Sequence, residues 1–246
     1  MHYRRLTESP KSSSARRTAG AAFVVAALVL LGACREPTRR TAGAAAPAVA
    51  ALPGGRHLVI DPARSELRVL VYRGGALARF GHNHVLVSKS VAGDVWVGAN
   101  DTGARFELAL PVASFVIDEP TARLEEGADF AIQPSAVDVE GTRHNLLGPR
   151  VLDADGFPEI RVIGAEASAA TGASVTARFR VRSRETEFAV PVTITRSGEE
   201  LAVAGGFTVL QSALGLEPFS VALGALQVRD DLAVRFRLVA RVPAGS

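Results

Sequence analysis

Two histidines one residue apart, in Ala78-Arg79-Phe80-Gly81-His82-Asn83-His84-Val85, are the most chemically distinctive feature of this 246-residue chain. In extended backbone residues i and i+2 project from one face, so His82 and His84 would present their rings together. Imidazole titrates near neutral pH and is a common metal ligand, so the pair admits acid/base chemistry or metal ligation. A closed metal site needs further donors, and His57 and His144 qualify only if the fold brings them close. Asp129 and Glu140 are conceivable carboxylate partners. Two other readings stay open: a ring hydrogen-bonded at the rim of a β-structure, organising the strand turn, or contact with a ligand's head group. Nucleophilic catalysis finds no support, since there is no Gly-x-Ser-x-Gly and the single cysteine, Cys34, ends the N-terminal apolar run.

The segments that must position these rings alternate with a period of two. Leu67, Val69 and Val71 form one apolar set, and Phe106, Leu108 and Leu110 another. Val175, Ala177, Phe179 and Val181, then Phe188, Val190, Val192 and Ile194, then Leu232, Val234, Phe236 and Leu238 continue the pattern. Such alternation gives each strand one buried and one wet face, as in antiparallel sheet. Turn signals at Arg73-Gly74-Gly75, Ala92-Gly93-Asp94, Asn100-Asp101-Thr102-Gly103, Thr171-Gly172, Arg196-Ser197-Gly198 and Arg229-Asp230-Asp231 separate the runs and predict a sandwich or barrel. Gly205-Gly206 reads as a bulge or barrel corner, and Pro191 as an edge or irregularity. Between Val112 and Phe157 the period disappears. Ser135 followed by Asp138 reads as a capping box and Gly148-Pro149 as a stop, so a helix is expected there, closing one end of the barrel. The inward aromatic set, including Phe80, Trp96, Phe115, Phe179 and Phe207, either fills a core or lines a ligand cavity; periodicity is the same in both cases.

The N-terminus reads as a targeting segment. Arg4, Arg5, Lys11, Arg16 and Arg17 precede an apolar run from Ala19 to Leu31, followed by Leu31-Gly32-Ala33-Cys34. That order predicts a signal peptide over 1–33, and the run is shorter than the roughly 20 residues a bilayer crossing needs. Leu-Gly-Ala-Cys resembles a bacterial lipobox, so Cys34 is the expected lipidation site, followed by a flexible tether to residue 56 and a folded domain over 57–243. Arg35 after Cys34 leans the expected location towards the outer membrane, on its periplasmic side. The chain has 28 basic and 25 acidic residues, but its first 34 hold five basic and one acidic, leaving 23 and 24. A near-neutral mature chain gives no electrostatic case for nucleic acid. With no second cysteine, no internal disulfide is available and the core must hold the domain.

Several pieces, in order, resemble the YceI-like domains of bacterial periplasmic proteins. They are His57-Leu58-Val59-Ile60-Asp61-Pro62-Ala63-Arg64-Ser65, Val112-Ala113-Ser114-Phe115, Arg143-His144-Asn145-Leu146-Leu147 leading to Val151-Leu152-Asp153 and Phe157-Pro158-Glu159-Ile160, and finally Gly215-Leu216, Pro218-Phe219-Ser220 and Val228-Arg229-Asp230. The resemblance implies an all-β fold with a minor helical segment, an antiparallel lipocalin-like barrel closed at one end by a helix. It also implies non-catalytic binding of a long amphiphile such as a polyisoprenoid or isoprenoid quinone, with no cofactor beyond a bound isoprenoid lipid. Candidate ligand-binding residues are then Phe80, His82, His84, Trp96, Phe115, Arg143, Phe179 and Phe207, and the partners are the lipid ligand and the membrane reached through the N-terminal anchor. Departures from the family pattern are the hairpin Phe179-Arg180-Val181-Arg182-Ser183-Arg184-Glu185-Thr186-Glu187-Phe188, His144, where an aspartate is usual, and the Gly81-His82-Asn83-His84 stretch itself. The alternatives are a histidine-dependent metal-binding or redox component using His82 and His84, and a structural lipoprotein with a filled core.

Overall fold

The structure, a computed structural model, describes residues 55–101, 103–166 and 173–243, all within one compact unit. The expected signal peptide, Cys34 and most of the tether lie outside the described residues. Six strands precede the helical region: β1 (Arg56–Ile60), β2 (Glu66–Gly74), β3 (His84–Ser88), β4 (Ala92–Val97), β5 (Ala104–Pro111) and β6 (Val116–Ile117). Helices α1 (Pro120–Glu125) and α2 (Ala136–Leu147) follow. The chain then forms β7 (Glu159–Glu166), β8 (Ser174–Val181), β9 (Arg184–Ser197), β10 (Glu200–Leu210), β11 (Ser220–Val221) and β12 (Leu226–Arg241). Among the described residues no helix is long and apolar enough to cross a membrane.

Eight strands close an antiparallel barrel in the order β1-β4-β5-β7-β8-β9-β10-β12, sealed by Val59 against Arg241 and Ile60 against Ala240. Closure removes the exposed edges that an open sheet would present. The long β12 carries β2 along its first part, and β3 and β6 extend from β2 as a flap of the same sheet. Each alternating apolar set in the sequence forms a stripe facing the barrel interior, and many of the arginines and glutamates between them pair on the outer surface, as Arg180 does with Glu185 and Arg161 with Glu159. One end is packed solid by Leu58, Val95, Val97, Leu201 and Ala240.

The helical expectation over Val112 to Phe157 resolves into two helices and the short β6. α2 starts at the expected capping box: Ser135 Oγ accepts from the Asp138 N–H at 3.2 Å, and the Asp138 carboxylate accepts from the Ser135 N–H at 3.2 Å. It stops at Gly148. None of its residues is fully buried, because its inner face covers a space and not a packed core.

Of three punctuation sites, Gly93 and Gly205-Gly206 act differently from their turn and bulge readings, and Pro191 does not. Gly205-Gly206 makes no bulge, since β10 pairs with β12 without a slip from Glu200 to Leu210; the irregularity lies in β12, between Val228 and Leu232. Gly205 is there for room, as a Cβ would stand 2.6 Å from the Pro191 carbonyl and 2.7 Å from the Phe236 ring. Gly93 sits inside β4 and not in a turn, at φ 147°, where a Cβ would meet the Glu107 carbonyl at 2.1 Å. Pro191 is an irregularity as expected: β9 pairs with β8 up to Pro191 and with β10 only from Val192 onward. Lacking an N–H, proline suits the point where a strand changes neighbours.

A lipocalin-like cavity as the candidate functional site

The barrel interior is a cavity of about 650 Å³, within the ~300–1,000 Å³ typical of small-molecule sites. Its walls are the inward residues of the strands, and aromatic rings crowd one side: Phe179 meets Phe188 edge-on at 5.6 Å between centroids and Phe207 at 5.9 Å. This answers the question that periodicity left open, for the interior is hollow. α2 crosses one end and turns Val137, Asp138, Gly141, Thr142, Asn145 and Leu146 to the space, positions that share one helical face. Phe80 and Val137, 64% and 81% exposed yet on the wall, mark the open mouth.

His82 and His84 both border the cavity beside this mouth, on one face as their spacing predicts. Their centroids are 6.3 Å apart. His84 is held by Asp118, whose Oδ2 lies 2.6 Å from His84 Nδ1. Asp118 is 2% exposed and also accepts the Val85 N–H at 2.9 Å and a bond from Arg123. Arg123, 3% exposed, donates further to the Asn83 carbonyl at 2.7 Å and the Ile132 carbonyl at 2.5 Å. The group ties β3, α1 and the loop after it into one buried polar knot. Burial pulls the Asp118 carboxyl upward, but the His84 hydrogen bond and charge, the Val85 N–H and the Arg123 charge outweigh it and hold it below the usual carboxylate range.

His82 borders both the cavity and a small side chamber of about 120 Å³ that is also bounded by Arg73, Asn83, Arg123 and Asp129. His57 and His144, the other donors considered, lie elsewhere: His57 bonds Asp94 at 2.6 Å and stacks on Trp96 on the outer wall, and His144 is exposed on α2. Among the described residues no group of three or more His, Cys, Asp or Glu side chains stands close enough to hold a metal ion.

Of the eight residues expected in the site, Phe80, His82, His84, Phe115, Phe179 and Phe207 lie on the cavity wall. Trp96 does not, because Val95 and Val97 point inward from β4 and the residue between them must point out. Arg143 does not either. It is about 200° around the helix from Gly141 and donates to the Phe115 carbonyl at 2.9 Å and the Ala113 carbonyl at 3.1 Å, pinning α2 to the chain before β6. Sequence reasoning missed Asp118 and Arg123, whose meeting with His84 depends on the path of the helical region. It also missed Glu166 and Arg196, an ion pair at 2.7 Å on the cavity wall near the packed end. Arg196 was legible, as it continues the inward register of Val192 and Ile194.

Comparison with known proteins agrees with this architecture. Residues 58–240 match the YceI-like domain. The BcnA protein of Burkholderia cenocepacia has a similar structure, with 17% identity, a TM-score of 0.51, and coverage of 73% of this chain and 98% of that one. A Campylobacter jejuni YCEI protein aligns at 9% identity over 56% of this chain and 72% of its own, with a TM-score of 0.40. No curated protein matches the sequence. The fold is that of a binding barrel of the lipocalin type. A match spanning most of the chain, on a barrel whose hollow interior and helical cover had already been found, places this protein in the YceI-like domain family.

Proposed function

We propose that the protein binds a long amphiphile, a polyisoprenoid, isoprenoid quinone or similar lipid, with its chain in the barrel and its polar head at the mouth, and performs no chemistry on it. The observation that carries this is the cavity of about 650 Å³, walled mostly by Val, Leu, Ile and Phe. Each methylene moved into such a space from water contributes about 0.8 kcal/mol. Polar side chains at the mouth, Arg73, His82 and Asn145, suit a head group, because they offer donors beside an otherwise apolar wall. His84, already committed to Asp118, anchors the start of β3.

The protein is placed by this reading on the periplasmic side of the bacterial envelope, lipidated at Cys34 and held at the outer membrane. The support is the basic, apolar and small-residue order of the N-terminus ending in Leu-Gly-Ala-Cys.

The test is binding of a fluorescent long-chain probe to wild type, Phe179→Asp and Phe207→Asp, with fold checked by circular dichroism. A ligand chain would strip water from the introduced carboxylate, at a cost of at least ~3 kcal/mol, more than about a hundredfold in affinity. Folded variants that bind the probe as wild type does would refute the reading.

A further inference from the structure

The cavity mouth is edged by exposed apolar side chains. Phe80 and Val137 are 64% and 81% exposed, Val221 is 43% exposed, and Leu223 on the loop beside it reaches 109%. Three of these, Phe80, Val137 and Val221, also line the cavity, so the exposed rim and the apolar interior are one continuous surface. Leu77 extends the rim. Its N–H donates to the Ala225 carbonyl at 2.7 Å, joining the loop after β2 to the loop before β12.

The loop around Leu223 holds its conformation at a cost. Ala222, Leu223 and Gly224 have φ of 50°, 55° and 85°, a left-handed run that only glycine adopts freely. That run presents a leucine wholly to water, where it gains nothing from folding.

Charge at this end differs from charge on the wall. Many wall arginines are matched by carboxylates, as Arg178 is by Glu187 and Arg180 by Glu185, whereas Arg184 donates to the Ala213 carbonyl. At the mouth, Arg73, Arg79 and Arg150 have no carboxylate partner among the described residues. Arg79 lies 4.5 Å from the centroid of the Phe80 ring and Arg150 4.6 Å from that of Phe219, and Arg73 and Arg150 donate to backbone carbonyls. Acidic groups on this side include Asp138, engaged by Ser135, Asp129 of the side chamber, Asp118, bonded to His84, and exposed Glu140 on α2.

From these observations we infer that the mouth docks on a lipid bilayer carrying anionic head groups, with Phe80, Val137 and Leu223 entering the interface and Arg79 and Arg150 meeting the phosphates. Apolar tips beside unpaired cations are what such a surface attracts. An apolar ligand could then pass between bilayer and cavity without crossing water. The docking is independent of which amphiphile fills the barrel.

The test uses the full chain with Cys34→Ser and one introduced cysteine carrying an environment-sensitive fluorophore. It is placed either at the mouth (Leu223→Cys) or at the far end of the barrel (Glu199→Cys). On vesicles of phosphatidylethanolamine and phosphatidylglycerol, the label at 223 should brighten several-fold while the label at 199 stays as in water. Arg79→Gln should weaken the response at 223 about fivefold in lipid concentration, and phosphatidylcholine vesicles should weaken it further. A label at 223 that stays in water while the chain sediments with vesicles overturns the proposal, as does equal brightening at 199. Brightening at 223 without vesicles, growing with protein concentration, would assign the rim to a second copy of the chain and also overturn it.

Discussion

Replacing Asp118 by alanine should cost the protein as much stability as the loss of a large core side chain. The carboxylate is 2% exposed and, among the described residues, is the only acidic side chain bonded to Arg123, itself 3% exposed. Removing it leaves a buried guanidinium uncompensated, which costs about 3–5 kcal/mol. For a domain of this size, 1 kcal/mol moves Tm by roughly 2–4 °C, so Asp118→Ala should lower Tm by roughly 6–20 °C in a calorimetric or circular-dichroism melt. The double variant Asp118→Leu with Arg123→Met should recover most of the loss, because removing both partners removes the unpaired charge. Recovery should stop short of wild type, since residue 118 has φ 57°, a conformation that costs leucine about 1–2 kcal/mol. A single variant that melts within 2 °C of wild type, or a double variant no better than the single, would refute the view that this knot holds the mouth together.

Acid should reveal the same group. Its carboxyl is held below the usual range, so its stabilising contribution is complete above the unfolded pKa of about 3.9 and is lost as pH falls through the lower folded value. Urea unfolding of Asp118→Asn should therefore lose less stability than wild type on going from pH 5 to pH 2; parallel losses would contradict the assignment. Gly141→Ala should stabilise α2 by about 1 kcal/mol, as a Cβ there meets nothing within 4 Å, and a lowered Tm would show that the mouth is tighter than described. Gly205→Ala should destabilise by about 1–3 kcal/mol in urea unfolding, because its Cβ would stand 2.6 Å from the Pro191 carbonyl; a neutral result would return these glycines to the bulge reading.

Much of the barrel was legible because a strand's period has few rivals. Val175 through Val181 and Phe188 through Ile194 alternate without a break, and every apolar member of these sets lines the cavity. The capping box at Ser135 and the stop at Gly148 located α2 for the same local reason. What failed depended on neighbours distant in sequence. Gly205 is small because Phe236, across the sheet, needs its place. Trp96 belongs to the expected inward aromatic set, whereas the parity set by Val95 and Val97 sends it outward to His57. The partner of His84 could not be named, since Asp118 reaches it only after the chain has passed through two more strands and a third short one. Whether the barrel was hollow or filled was also beyond the pattern, because inward residues alternate identically in both.

The central claim is that the cavity holds a long apolar chain, and native mass spectrometry of the protein purified without detergent, with organic extraction of the same sample, tests it most directly. The expected result is a bound species of lipid mass that co-purifies with wild type, is recovered in the organic phase and is absent from Phe179→Asp. A wild-type protein carrying no such species, and taking up none when long-chain alcohols or isoprenoids are added, would contradict it.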